Sequence, residues 1–209
     1  MSTNQATGLP QRVDLAHLYA PPQERITKAV LGHLVDVHEA YLQAATFFCL
    51  ATASADGLDA SPRGGPPGFV RVLDQHSVAF ADWPGNNRIE SMHNLEQDAR
   101  VGMLFLFPGL DVFMRINGHA RVSIAPELLD RLSENGKTPK TATVVQLNEV
   151  LFHCGKAVNR AKLWEAAGRV EPDQVPSPGQ VFVRLAGMTQ EQGAQLDAHY
   201  THAVKYDLY

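Results

Sequence analysis

Between residues 46 and 123 the chain is cut into short strand-like runs by connections too brief to reach anything but an adjacent antiparallel strand. "TFFCLATAS" passes to "LDASPRG" at Asp56-Gly57, and "FVRVLD" passes to "SVAFAD" at Gln75-His76. "RVGMLFLF" passes to "VFMRINGHARVS" through "PGLD". A parallel crossover needs a dozen or more residues, so these joins dictate hairpins. The last run alternates: Val112, Met114, Ile116, Gly118, Ala120 and Val122 share one face, and Phe113, Arg115, Asn117, His119 and Arg121 share the other. "RVGMLFLF" is apolar almost throughout, which predicts a strand buried on both faces. "KTATVVQLNEVLFHC" adds one more strand. Hairpin-joined short strands favour a small barrel.

Helical runs surround them. "QRVDLAHLYA" and "ERITKAVLGHLVDVHEAYLQAA" read as helices, the second with Leu34, Val37, Tyr41 and Ala44 as its apolar stripe. "PELLDRLSEN" and "GKAVNRAKLWEAAG" follow, then a Pro-rich linker "EPDQVPSPGQ" and two C-terminal helices. The expected class is α+β. With 44% hydrophobic and 19% charged residues, the 209-residue chain can bury a core without staples. A net charge of -4 argues against a global basic surface for nucleic acid or anionic lipid. Only Cys49 and Cys154 are present, too few for a disulfide framework, and Cys49 in "FFCLAT" reads as a buried thiol. Neither zinc-ligand spacing, nor the apolar core of a signal peptide, nor a membrane-length apolar run is seen, so the expectation is a cytoplasmic protein without a metal.

"ADWPGNNRIESMHNL" raises the chemical question. It ends a strand, turns on Pro84-Gly85 and opens a helix whose predicted buried stripe is Ile89, Met92 and Leu95. With Asn86 as N-cap, Asn87, Arg88 and Ser91 share one side of the first turns. First-turn amides and the helix dipole favour an anion there, and a guanidinium, an amide and a hydroxyl match phosphate oxygens. A capped, solvated surface helix fits the same residues. A second segment, "DASPRGGPPG", brings Ser61, Arg63 and Gly64 to a strand end before a glycine-rich loop, where backbone can approach a flat ligand. A flexible hairpin connection is the plain alternative.

Taken in order, "FFCLATASADGLDASPRG", "SVAFADWPGNNRIESMHNLEQDARVGMLFLF" and "VFMRINGHARVS" resemble the pyridoxamine 5'-phosphate oxidase-like family of FMN-binding split barrels. "SPRGGPPGFVRVLD", "PGNNRIES", "RINGHARVS" and "FHCGKAVNRAKLW" are similar to a bacterial subgroup of FMN-dependent enzymes in that class. The resemblance implies a six-stranded antiparallel split β-barrel with flanking helices, and a homodimer with FMN at the subunit interface. The implied units are N-terminal helices (1–45), the FMN-binding barrel (46–152) and a C-terminal helical extension (153–209) that packs on the barrel or the dimer interface. Ser61, Pro62, Arg63 and Gly64 match the segment along the flavin ring and ribityl chain. Ala81 and Asp82 match the strand end that touches FMN. Asn87 and Arg88 match the pair that grips the phosphate, with Ser91 a neighbour by helix geometry. A flavin-contacting glutamine of the oxidases aligns near Phe113, with Arg115 as the alternative contact.

The chain also departs from the oxidases. Their second strand carries Arg-Met-Val-Leu-Leu-Lys, ending in the lysine that binds substrate phosphate, where this chain has "SPRGGP". Their C-terminal Trp/Arg segment has no counterpart in "AQLDAHYTHAVKYDLY". "FHCGKAVNR" gathers His153, Cys154, Lys156 and Arg160 at a strand-to-helix transition. His153, Lys156 and Arg160 are candidates for the substrate or flavin side, because a cation near the flavin stabilises its reduced anion; solvated surface charges are the alternative. The expected function is an FMN-binding oxidoreductase with no catalytic residue identified. The rivals are a non-catalytic flavin-binding protein and, behind it, a pyridoxamine 5'-phosphate oxidase.

Overall fold

All of the strand-like runs form strands, and each bonds its neighbours antiparallel. In the computed structural model, which describes residues 14–208, they are β1 (Phe47–Ser54), β2 (Gly57–Gly64), β3 (Arg71–Asp74), β4 (Ser77–Asp82), β5 (Arg100–Leu106), β6 (Val112–Ser123) and β7 (Thr141–Cys154). The count is seven against an expectation of six, because even the four-residue β3 pairs along β4. Their order is β2-β1-β5-β6-β7-β4-β3, so β2 and β3 are unjoined edges and the barrel is split there. Residues 65–70 run from one edge to the other. They are held by Gly65 N–H to Thr46 O (3.1 Å) and Gly68 N–H to Ala45 O (3.3 Å), and they bury Phe69 and Val70.

The long β6–β7 pair joins the two halves. The first part of β6 bonds β5, and the first part of β7 bonds β4. The register shifts at Asn117/Gly118, a bulge that bends both strands between their two sets of neighbours. Gly118 is required there, since a Cβ would lie 2.1 Å from the Gln146 carbonyl oxygen. Phe48, Leu50, Phe80, Met103, Phe105, Met114, Ile116 and Val150 point into one core and are no more than 2% exposed. Phe48 lies at its centre, 5.0 Å from the rings of Phe80 and Phe105.

The predicted alternation of β6 holds, with Met114, Ile116 and Ala120 buried and His119 and Arg121 exposed. That of β5 corrects the sequence reading. Val101, Met103 and Phe105 are buried, but Leu104 on the other face is 37% exposed. Its outer face is apolar without being covered by this chain. Cys49, its register partner on β1, is likewise only half-buried, not the buried thiol expected.

The single helix expected over residues 24–45 is two, α1 (Glu24–Lys28) and α2 (Asp36–Ala44). Between them Leu31 bridges to Val150 of β7, and Leu34 N–H bonds the Gln75 carbonyl at 2.7 Å. Gly32 already weakens a helix there, and the bonds to the sheet replace it. The buried positions of α2 are His38 and Leu42 rather than Val37 and Ala44. His38, expected on the surface, is 3% exposed; its Nδ1 accepts from Val35 N–H (3.2 Å) and its ring stacks on Phe152. Of "QRVDLAHLYA" only one short turn, Leu15–His17, is seen; residues 11–13 lie outside the described part.

Beyond the sheet come α3 (Glu90–Gln97), α4 (Pro126–Arg131), α5 (Lys156–Ala161), α6 (Pro178–Ala186) and α7 (Gln190–Tyr206). The helix expected through "GKAVNRAKLWEAAG" stops early, where Lys162 turns left-handed (φ 51°). Trp164 then bonds the Leu110 carbonyl through its indole N–H (3.1 Å). Both C-terminal helices form as expected, capped by Ser177 and Thr189.

Candidate functional site

Asp59, Ser61 and Arg63 share one face of β2, because alternate strand residues do. Their β1 partners are Thr52, Leu50 and Phe48, all buried, so this polar row looks to the inner side of the barrel. α3 covers it with polar groups. Asn94 donates to the Thr52 hydroxyl (3.0 Å), and Ser91 donates to Asp59 Oδ2 (2.6 Å). Arg63 Nη2 donates to the Ser91 hydroxyl (3.3 Å). From the end of β4, Asp82 brings Oδ1 to 4.0 Å from Arg63 Nη1. Arg63 Nε is buried and has no hydrogen-bond partner within the chain. A guanidinium fixed on two sides therefore keeps one N–H unused, a deficit of about 1–3 kcal/mol until something accepts from it.

The segment from Gly85 to Arg88 is not the first turn of a helix. Asn86 Oδ1 accepts from Arg88 N–H at 3.0 Å, an Asx turn, and Asn87 is left-handed (φ 59°). α3 starts only at Glu90, with Ile89 as its cap residue and no side-chain cap bond. This corrects the expectation of Asn86 as N-cap and of Asn87, Arg88 and Ser91 along one helix side. The predicted stripe is corrected too: Ser91 is buried at 4% exposure, while Ile89 is 47% exposed. Arg88 is largely exposed, and its Nε bonds Glu90 Oε1 (2.5 Å), which holds the Glu90 carboxyl below its ordinary range.

Between β2, the end of β4 and this loop lies a cleft of about 500 Å³. The expected residues Ser61, Pro62, Arg63, Asp82, Asn87, Arg88 and Ser91 line it together. Its cations, Arg63 and Arg88, face Asp59, Asp82 and Glu90. Burial pushes the Asp82 carboxyl above its ordinary range, while Arg63 and Lys140 pull it back. An anion entering here meets a guanidinium with an unused N–H beside a carboxylate already inclined to accept a proton.

Other expected residues lie elsewhere. Ala81 packs in a small core with Ala79, Leu132 and Ala142. Gly64 lines a second cavity of about 600 Å³ with Gly65, Pro66, Trp83 and Leu208, so Trp83 is a wall of both spaces. Phe113 opposes His153 across β6–β7, and Arg115 bonds Glu149 Oε1 (3.1 Å). Burial and the Arg115 charge push the His153 pKa down. Lys156 and Arg160 are exposed on α5 just beyond, and Cys154 is a free, exposed thiol. None of these five candidates, Phe113, Arg115, His153, Lys156 and Arg160, lines the cleft of its own chain. Two residues that do were missed, Asp59 and Trp83. Asp59 was open to detection, since it alternates with Ser61 and Arg63.

Comparison with known proteins places this geometry. The family model described as pyridoxamine 5'-phosphate oxidase matches residues 34–154, more than half of the chain. The chain belongs to the pyridoxamine 5'-phosphate oxidase family. The family segment contains every cleft residue and the whole sheet. No curated protein matches the chain. Among solved structures, HupZ of Group A Streptococcus is 15% identical over 56% of this chain and 92% of its own, with a TM-score of 0.43. General stress protein 26 of Bacillus anthracis is 13% identical, covering 62% and 91%, at 0.42. The FAD binding protein of Mycobacterium smegmatis is 12% identical, covering 59% and 97%, at 0.41. At these identities and scores the likeness carries no functional argument. Among the described residues no helix is long and apolar enough to cross a membrane, and no group of three or more His, Cys, Asp or Glu is arranged to hold a metal.

Proposed function

We propose that the cleft holds the phosphate of FMN and that the protein is an FMN-dependent oxidoreductase working as a homodimer. Family membership supports the cofactor class, and the observation that carries the assignment to this cleft is Arg63. Its guanidinium is held by Ser91, flanked by Asp82 and left with a buried N–H unpartnered. The donor set fits a phosphate ester: Arg63 within the cleft, Arg88 and Asn87 at its rim, and the Ser61 hydroxyl on the same strand face. About 500 Å³ also lies within the size range of cofactor pockets.

Each residue then has a physical task. Ser91, itself fixed by Asp59, orients Arg63. Arg88 exchanges Glu90 for the incoming anion, a substitution of one exposed partner for another at low cost. Asp82 takes up a proton as the phosphate approaches, which removes a like charge beside Arg63. The flavin, when bound, supplies the hydride chemistry; the protein supplies binding and orientation and excludes water.

The homodimer reading rests on the uncovered outer face of the sheet. Pro62, Cys49, Leu104 and Arg115 form one cross-strand row, and Gly64, Phe47, Leu106, Phe113 and His153 form the next. A second copy seated on this face would cover Leu104 and bring the partner subunit's Phe113, Arg115 and His153, with the partner's Lys156 and Arg160, toward the flavin end of the cleft.

Titration of the flavin-free protein with FMN and with riboflavin tests this reading, following flavin fluorescence. FMN should bind at least ten-fold more tightly, because the phosphate contributes charge-assisted bonds. Equal affinities would remove the phosphate from the cleft. Addition of NADH or NADPH to the FMN-loaded protein then separates an oxidoreductase, whose visible flavin band bleaches, from a flavin carrier, whose band persists.

A further inference from the structure

The second cavity is chemically unlike the first, although Trp83 walls both. Gly64, Gly65, Pro66, Trp83 and Leu208 contribute no titratable side chain to its lining. Its main-chain donors are largely committed. Gly64 lies within the β1–β2 ladder opposite Phe47, Gly65 N–H bonds the Thr46 carbonyl, and proline has no N–H. The Pro66 carbonyl accepts from Phe69 N–H at 3.0 Å. The floor is also fixed in shape. A Cβ on Gly65 would lie 2.7 Å from Phe69 Cβ, so bare backbone is needed there.

The remaining wall comes from the far end of the chain. Leu208 follows α7, and α7 is clamped to α6 as a stiff arm. Asp197 of α7 accepts from Ser177 Oγ (2.6 Å) and from Gly179 N–H (2.7 Å) at the start of α6. Gly179 and Gly193 let the two backbones touch, since a Cβ on Gly179 would fall 2.0 Å from the Gly193 carbonyl oxygen. An arm built this rigidly carries a leucine to a cavity on the barrel edge, where its side chain is 53% exposed.

We propose that this cavity is the substrate subsite of the adjoining cleft and that it takes a neutral, planar aromatic molecule of one or two rings. Flat glycine backbone, an indole and an isobutyl group exclude charge, favour a slab-shaped ligand and give it no polar anchor beyond its edge. The inference deepens the FMN reading, supplying the class of molecule that would meet the flavin, and Leu208 is its specificity-determining residue.

The test is calorimetric titration of the full-length protein with 2-naphthol, with and without saturating FMN, for wild type, Leu208→Asp and Arg63→Ala. Saturable 1:1 binding to the FMN-loaded wild type is expected, with at least a five-fold loss in Leu208→Asp while its FMN affinity stays within two-fold. Binding that FMN abolishes would assign the cavity to the flavin ring and overturn the subsite. An absence of saturable binding, or indifference to Leu208→Asp, would overturn it as well. Should FMN fail to bind at all while 2-naphthol binds the wild type and not Leu208→Asp, the FMN reading falls and the aromatic site stands. Arg63→Ala should weaken FMN and leave 2-naphthol unchanged; parallel loss of both would show a single shared site and contradict the division.

Discussion

Arg63 keeps 27% of its side chain exposed, between a serine that it bonds and an aspartate 4.0 Å away. Replacing it with alanine removes a charge-assisted contact of about 1.5–3 kcal/mol. FMN affinity should fall about 10- to 100-fold, read by fluorescence titration, with the unfolding midpoint nearly unchanged. Arg63→Lys should recover little, since an ammonium cannot keep both the Ser91 bond and a fork toward phosphate. Asp82 gives a pH signature. Its pKa is raised above 3.8, so its protonated form favours the folded chain at low pH, and that contribution is lost as pH rises through the raised value. The ionised form also opposes an anion at Arg63. Sulfate affinity of the wild type should therefore decline as pH climbs above 3.8 through that range, whereas Asp82→Asn should bind sulfate more tightly at high pH with a flatter profile. A wild-type profile already flat would remove Asp82 from the site.

The elements show where local rules suffice and where they fail. The hairpins were legible because a two-residue connection fixes its own geometry, and the β6 alternation because one face is solvent. The start of α3 was not, since Asn86 competes for the Arg88 amide with its side chain and delays the helix to Glu90. The break before α2 was hidden for a different reason: Leu31 finds its partner at Val150, far along the chain. That break places His38 under Phe152. Burial and nearby His33 lower its pKa from 6.5, against a smaller opposing pull from Asp36. A buried neutral histidine contributes stability that is present above 6.5 and lost as pH falls through its lowered pKa. Urea unfolding at pH 7.5 and 5.5 should show the wild type weakening toward the lower pH, and His38→Gln should reduce that difference while keeping an acceptor for Val35. An undiminished difference in the variant would assign the acid sensitivity to other groups.

At the scale of the whole molecule, the sequence resemblance reached the family and the cleft, but the residues it assigned to one flavin site fall on two surfaces. Ser61, Arg63, Asp82, Asn87 and Arg88 meet around one cavity, whereas Phe113, Arg115 and His153 lie on the outer face of the sheet. Nothing local in "RVGMLFLF" distinguishes a strand buried within its own chain from one buried by a second copy. The homodimer reading makes that distinction testable. Wild type should sediment at twice 22.9 kDa, and Leu104→Asp, which puts a charge on the uncovered apolar row, should sediment as a monomer with weakened FMN binding. A wild type that sediments as a monomer yet binds FMN fully would place the entire site within one chain.

The most direct measurement is a crystal structure of the protein grown with FMN. The account predicts the phosphate density in the cleft between Arg63 and the Asn87-Arg88 turn, with Arg88 released from Glu90 and the Arg63 Nε bonded. A phosphate bound elsewhere, or a cleft that stays empty while Arg88 keeps its glutamate, contradicts it.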